Sequence, residues 1–251
     1  MNGTKELEGR VAIVTGAGRN IGRAIALELA AAGAAVVVNA RSNAAEADAV
    51  AREIEAGGGR AAVALGDVTD RAAVDRMAAL AHQRFGGIDA LVNNAALRRE
   101  SKLDTMTFEE WRQITGCILD GAFHCVQACL PHIRLSGQGS IVNLGGLSAH
   151  TGSKDRLHVV TAKSGLVGFT RGLAHDLAEH GVTVNCLAPG FIDTARQGSG
   201  PAPAHHATSK ILAGRLGAVQ EIAATVRFLC GPNARYITGQ TIHVNGGAYL
   251  G

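Results

Sequence analysis

Val11-Ala12-Ile13-Val14-Thr15-Gly16-Ala17-Gly18-Arg19-Asn20-Ile21-Gly22 is the stretch whose reading decides the fold. A continuous apolar run ends in a glycine-rich turn, and an Ala/Leu-rich segment of helical character follows from Ile21. In such a strand–turn–helix unit the glycines let the backbone approach a pyrophosphate closely. The first helical N–H groups have no intrahelical partner, and the helix dipole favours negative charge there. A glycine turn alone says little; between the first strand and the first helix of an α/β chain it says much more.

The same alternation runs outward from this unit. Strands are expected at Val11–Thr15, Ala35–Ala40, Ala61–Leu65, Ala90–Val92, Ser140–Leu144, Thr183–Leu187 and Thr241–Val244. Helices are expected at Ile21–Ala32, Ala44–Ala56, Arg71–Arg84, Phe108–Ile133, Thr161–Glu179 and Val219–Leu229. Continuous rather than alternating apolar strands, separated by helices, indicate a parallel sheet covered on both faces. The expectation is one doubly wound Rossmann-type α/β domain over residues 1–251, with a seven-stranded parallel sheet. Ala195–Gly217 breaks the pattern with Gly198, Pro201, Pro203, His205, His206 and Gly214, and is expected to be a substrate lid.

Composition narrows the function classes. The 251 residues are 47% hydrophobic, enough for a large core, and their formal charge of +3 is spread without a basic run. That balance argues against nucleic acid or a membrane surface as partner. The longest apolar candidate, Ile21–Val38, is interrupted by Arg23 and Glu28, and the first residues lack an apolar signal core, so a cytoplasmic location is expected. Cys117, Cys125, Cys129, Cys186 and Cys230 form no CxxC pair and read as small buried apolar residues, with no metal site expected.

Several motifs resemble the short-chain dehydrogenase/reductase family, including its β-ketoacyl-acyl-carrier-protein reductase-like members, over essentially the whole chain. The family's Thr-Gly-xxx-Gly-x-Gly pattern falls on Thr15, Gly16, position 20 and Gly22. Asn20 departs from glycine there but tolerates left-handed backbone. Asp67-Val68 is similar to the adenine-contacting pair, Asn93-Asn94-Ala95-Ala96 to the Asn-Asn-Ala-Gly turn, and Pro189-Gly190 with Ile192 and Thr194 to the turn that holds the nicotinamide carboxamide. Tyr236-Ile237-Thr238-Gly239-Gln240 and Val244-Asn245-Gly246-Gly247 match the C-terminal signature. The resemblance implies nucleotide contacts from Thr15, Gly16, Gly18, Arg19, Asn20, Ile21, Gly22, Asp67, Val68, Asn93, Ala95, Lys163, Pro189, Gly190, Ile192 and Thr194. It also implies a homotetramer.

Charge selects the cofactor. An NAD site places an acid after the second strand to accept from the ribose 2′-hydroxyl. Here that segment is Val38-Asn39-Ala40-Arg41-Ser42, without an acid, and Arg19 lies in the glycine turn. Two guanidinium groups suit a 2′-phosphate, so NADP(H) is expected.

The catalytic half departs from the family. Its proton relay uses serine, tyrosine and lysine with a helix asparagine, the tyrosine and lysine lying i,i+4 on one helix face. Lys163 matches the lysine, whereas the tyrosine, serine and asparagine positions are Val159, Gly146 and Ile118. None of these can donate a proton or order a relay water by side chain. The chain's only tyrosines, Tyr236 and Tyr249, are C-terminal. Alternative catalytic candidates are His158, about 100° from Val159 around the helix, and Ser148 and His150 after Gly146, with His205 and His206 in the lid. Arg98-Arg99, after the Asn-Asn-Ala-Ala turn, could bind a carboxylate or phosphate, although a solvated basic pair is the favoured reading. The expected function is an NADP(H)-dependent oxidoreductase acting on a small molecule by a divergent proton transfer. The alternatives are an NADP(H)-binding protein without turnover (a sensor or silent subunit) and a non-redox isomerase or lyase on the same fold.

Overall fold

The apolar run at the head of the chain forms β1 (Val11–Val14), all four residues buried. The computed structural model describes residues 5–194 and 211–251. The remaining strands are β2 (Ala35–Ala40), β3 (Arg60–Leu65), β4 (Ala90–Asn93), β5 (Ser140–Leu144), β6 (Thr183–Pro189), β7 (Ile192–Asp193), β8 (Gly217–Ala218) and β9 (Thr241–Val244). β3-β2-β1-β4-β5-β6-β9 make one seven-stranded sheet, and its registers are all parallel. β7 and β8 pair separately. The helices are α1 (Asn20–Ala31), α2 (Ala44–Ala56), α3 (Arg71–Phe85), α4 (Phe108–Thr115), α5 (Gly121–Leu135), α6 (Ser148–Thr151), α7 (Leu157–Leu177) and α8 (Val219–Cys230).

The continuous apolar strands are explained by burial on both faces. On one face Val14, Val36 and Val38 pack with Ile25 and Leu29 of α1, Val50 and Ile54 of α2 and Val226 of α8. On the other, Ile13, Val37 and Leu91 pack with Met77 of α3, Cys125, Cys129 and Ile133 of α5 and Leu177 of α7. Each such fully buried aliphatic side chain contributes roughly 1.5–3 kcal/mol. Cys125, Cys129, Cys186 and Cys230 are buried and Cys117 partly so, and none is in a disulfide.

Two boundaries differ from the sequence reading in a way that matters for the site. The single helix expected over Phe108–Ile133 is three pieces: α4, a π-helical turn over Gly116–Asp120, and α5. The π turn re-phases the helix where α5 must approach β3's exit, and a Cβ on Gly121 would stand 2.5 Å from Val68 Cγ2. Apolar periodicity does not register a one-residue phase slip, so the break was invisible in sequence. α7 starts at Leu157 rather than Thr161, which brings His158 and Val159 inside its first turn. The short α6 was not anticipated.

The order 3-2-1-4 places a topological switch between β1 and β4. The crevice at the carboxyl ends of these strands is where open α/β sheets take ligands.

Candidate active site

The glycine turn after β1 is built for close approach. Gly16 has φ 61° and Asn20 φ 51°, so the one non-glycine departure in the turn does adopt left-handed backbone. A Cβ on Gly22 would meet Gly16 O at 2.2 Å and Asn94 Nδ2 at 2.5 Å, which only glycine avoids. Thr15 Oγ1 accepts from the N–H groups of Asn94 (2.9 Å) and Ala95 (3.0 Å), while Asn94 Nδ2 donates to Thr15 O and Gly16 O. These bonds lock the ends of β1 and β4 together. Asn43, Asp70 and Thr107 cap α2, α3 and α4 with side-chain oxygens. α1 instead has Arg19 at its N-cap and no side-chain cap, which leaves its first amides for an anion. The Ile21 side chain is buried beneath the turn.

Asn39 ties the turn to the rest of the groove. It accepts from Gly16 N (3.2 Å) and donates to Ala64 O and Gly66 O, both at 3.1 Å. The sequence reading passed over it because a buried strand asparagine carries no motif. Asp67 Oδ1 accepts from Thr69 N and Oγ1, which fixes the turn after β3, and Val68 is buried. Arg41 and Asp67 line a cavity of about 780 Å³ that runs past Leu97, Arg99, Cys117 and Asp120. Arg19 is three-quarters exposed and stands 4.0 Å from Glu46 on the first turn of α2. An acid therefore does lie near the turn, on α2 and not at the end of β2.

Deeper in the crevice a polar chain crosses three elements. Asn93 Nδ2 donates to Asn143 Oδ1 (2.8 Å), and Asn143 Nδ2 donates to Thr170 Oγ1 on α7 (2.9 Å). Asn93 Oδ1 is buried with no hydrogen-bond partner among the described residues. A buried acceptor without a donor costs about 1–3 kcal/mol. At the far side Gly190 N donates to Val244 O, Pro189 O accepts from Leu147 N, and a Cβ on Gly190 would meet Asn245 Cα at 2.6 Å. Ile192 is buried in β7 and Thr194 is half-buried beyond it.

Lys163 is buried, and its Nζ donates to Leu144 O at the end of β5. Burial, and then the nearby Arg98, pull its ammonium down to about 7. Beside it lies one packed apolar block. Ile118 of the π turn and Val159 of α7 are both buried, and they pack with Ile114, Ala122, Ala162 and Leu166, while Ala96 and Leu97 press on the same block. At Gly146 a Cβ would have open space.

The histidine candidates fall in different surroundings. His158 is fully buried, with Nδ1 accepting from Val159 N and Nε2 3.7 Å from Glu110 on α4. Its offset from Val159 thus carries it to α4. His150 meets His243 of β9 edge to face at a centroid distance of 4.5 Å and stacks with Tyr249 at 5.5 Å. Burial, then His243 and Arg171, lower its pKa. Ser148 starts α6 beside it, half-buried. His205 and His206, with most of the expected lid, lie outside the described residues. At the end of that segment Ala213 N donates to Gly246 O, against the Gly246-Gly247 turn. Arg98 and Arg99 part company, since Arg99 lines the large cavity while Arg98 acts on Lys163.

Comparison with known proteins agrees with this arrangement. The protein family described as Enoyl-(Acyl carrier protein) reductase matches residues 16–249. The 3-oxoacyl-acyl-carrier-protein reductase FabG of Vibrio cholerae is 41% identical over 245 residues, covering 97% of this chain and 99% of that protein. The FabG of Escherichia coli is 40% identical over 97% of this chain and 98% of its own. The chain belongs to the short-chain dehydrogenase/reductase family. Solved members superpose closely: a double mutant of a Serratia marcescens short-chain dehydrogenase/reductase gives TM-score 0.92 at 32% identity, covering 98% of this chain and 100% of the other. A Sinorhizobium meliloti dehydrogenase/reductase gives 0.93 at 32% identity, covering 98% of each. As a family member the chain is an oxidoreductase by descent. Among the described residues no helix is long and apolar enough to cross a membrane.

Proposed function

We propose that this short-chain dehydrogenase/reductase binds NADP(H) and reduces or oxidises a small molecule without the serine, tyrosine and asparagine of the usual relay. The observation that carries the reading is Lys163, buried at the end of β5 beside an apolar block at Ile118 and Val159. The ionisable member of the relay is retained while its partners are packed away. When bound, the nicotinamide supplies the hydride. The residues that fit it are Thr15, Gly16, Gly18, Asn20 and Gly22 at the pyrophosphate, Arg19 and Arg41 at a 2′-phosphate, Asp67, Val68, Asn93 and Ala95 along the adenosine, and Lys163, Pro189, Gly190, Ile192 and Thr194 at the nicotinamide end.

In this reading Lys163 holds ribose hydroxyls and is also the leading source of the proton. An ammonium poised near neutrality can release one at working pH, directly or through a water. Ser148 and His150 are secondary candidates. His158, shut in against Glu110, serves to brace α7 on α4. A substrate that leaves a delocalised anion after hydride addition needs only a weak acid. The activated alkene of an enoyl group, which the description of the matching family names, is of this kind. The reading takes residues 1–251 as one domain working in a homotetramer.

Cofactor choice is tested by titrating the protein with NADPH and NADH in a calorimeter. NADPH is expected to bind at least tenfold more tightly, a difference of about 1.4 kcal/mol. Arg41→Asp should erase that preference by placing a carboxylate where the phosphate sits. Equal affinities in the wild type, or a preference that Arg41→Asp leaves unchanged, would contradict the assignment. A second reading, an NADP(H)-binding protein without turnover, is favoured by the close packing of Ile118 and Val159 and is separated from the first in the Discussion.

A further inference from the structure

We propose that Glu46 competes with the cofactor's 2′-phosphate for Arg19, so that one carboxylate on α2 sets how strongly NADP(H) is favoured over NAD(H). This rests on the cofactor reading above and names the residue that governs its selectivity. A side chain three places into α2 belongs to no nucleotide-binding motif.

The local sequence leads one to expect something else of Glu46. Asn43-Ala44-Ala45-Glu46 has the spacing of a capping box, in which the acid at the third helical position returns to the N–H of the capping residue. Half of the box is made, since Asn43 Oδ1 accepts from Glu46 N at 3.2 Å. The other half is not: the Glu46 carboxylate has no hydrogen bond among the described residues. It lies against the glycine turn instead. A Cβ on Gly18 would stand 3.2 Å from Glu46 Cβ and 3.4 Å from Glu46 Oε2, so glycine at this position leaves the acid room.

Two ion pairs run between the start of α1 and α2, and they differ in kind. One turn into α1, Arg23 Nη2 donates to both carboxylate oxygens of Glu53, at 2.7 and 2.5 Å, and ties the helices together. At the glycine turn, Arg19 Nη1 stands 4.0 Å from Glu46 Oε1, a charge contact too long for a hydrogen bond. The Arg19 side chain is also largely exposed. An exposed guanidinium held so loosely can turn to a phosphate, which it grips through paired, charge-assisted hydrogen bonds. Doing so strips Glu46 of its counter-charge, a cost that only the phosphorylated cofactor incurs. NAD(H) presents a ribose hydroxyl there, which neither needs the guanidinium nor repels an acid. Arg41 lines the large cavity and has no ion pair among the described residues, so the competition falls on Arg19 alone.

Calorimetric titration of the full-length protein with NADPH and NADH tests this. Glu46→Gln keeps the backbone N–H that Asn43 accepts and removes only the charge. It is expected to tighten NADPH about threefold, the scale of an exposed ion pair, and to leave NADH within about twofold. With Arg19→Gln already in place, the same substitution should change NADPH affinity by less than about twofold. Glu53→Gln breaks the tight pair between the same helices and should leave both affinities within about twofold. Unchanged or weaker NADPH binding by Glu46→Gln would overturn the proposal, as would equal tightening of both cofactors or a full gain in the Arg19→Gln background. The wild-type titrations judge the cofactor reading separately. No preference for NADPH there would overturn that reading, whereas the role of Glu46 stands or falls on the change its substitution makes.

Discussion

Lys163→Met is expected to raise the melting temperature of the nucleotide-free protein at pH 7 while sharply weakening its hold on NADPH. Few side chains give both results from one change. The folded protein holds this ammonium at about 7, against an ordinary lysine value of 10.5. At about 1.4 kcal/mol per unit the charged form carries a penalty of about 5 kcal/mol, of which half-protonation at pH 7 leaves roughly 4 kcal/mol. Part of the gain is lost because Leu144 O forfeits its donor, a cost of about 1–3 kcal/mol. A net gain of about 1–3 kcal/mol corresponds to roughly 3–10 °C in a chain of this size.

The sign of the pH dependence follows from linkage. The folded-state value is depressed, so between about 7 and 10.5 the unfolded chain binds the extra proton. Wild-type stability should therefore rise with pH through that window as the penalty fades. The advantage of the Met variant should be full below pH 7 and gone above 10.5. Scanning calorimetry from pH 6 to 10 measures this. A variant less stable than wild type throughout would show that Lys163 is a stabilising charge and would remove its role as a proton source near neutrality. With NADPH present the order should reverse, since only wild type can donate to the ribose and gain stability from the ligand.

The sheet was legible in the sequence because fully buried parallel strands read as continuous apolar runs, and β2, β5 and β9 have the boundaries expected of them. The glycine turn was legible for a related reason: Gly22 stands where no Cβ can, so sequence and sterics carry the same information. What stayed hidden involves contacts between distant segments. Asn39 bridges three strand ends, Glu110 meets His158 across two helices, and Asp155 bonds the backbone of Ser101. None of these leaves a local pattern. Ile118 and Val159 were legible as apolar residues, but not as neighbours in one block. That adjacency makes them part of one continuous piece of core.

The second large effect is expected from putting the relay back. Gly146→Ser is accommodated, because a Cβ there meets nothing within 4 Å. Ile118→Asn alone should destabilise the protein by about 1–3 kcal/mol, since its amide would be buried among Ile114, Val159, Ala162 and Leu166. Val159→Tyr adds bulk to the same block at a further cost of about 1–3 kcal/mol. Made together, Asn and Tyr give each other and a water hydrogen-bonding partners, so the triple variant should be less unstable than the sum of its parts. Next to Lys163, the restored phenol would supply an acid of the kind that contributes roughly 10²–10⁴-fold where it operates. The wild type should reduce simple ketones slowly or not at all, because a developing alkoxide meets neither donor nor acid at Gly146, Val159 and Ile118.

The most direct measurement is therefore single-turnover oxidation of bound NADPH by a panel of simple ketones, for the wild type and for the protein carrying Gly146→Ser, Val159→Tyr and Ile118→Asn. The account predicts that both bind NADPH and that only the triple variant oxidises it rapidly. Fast ketone reduction by the wild type would contradict it, and silence of a folded, NADPH-bound triple variant would favour a cofactor-binding protein without turnover.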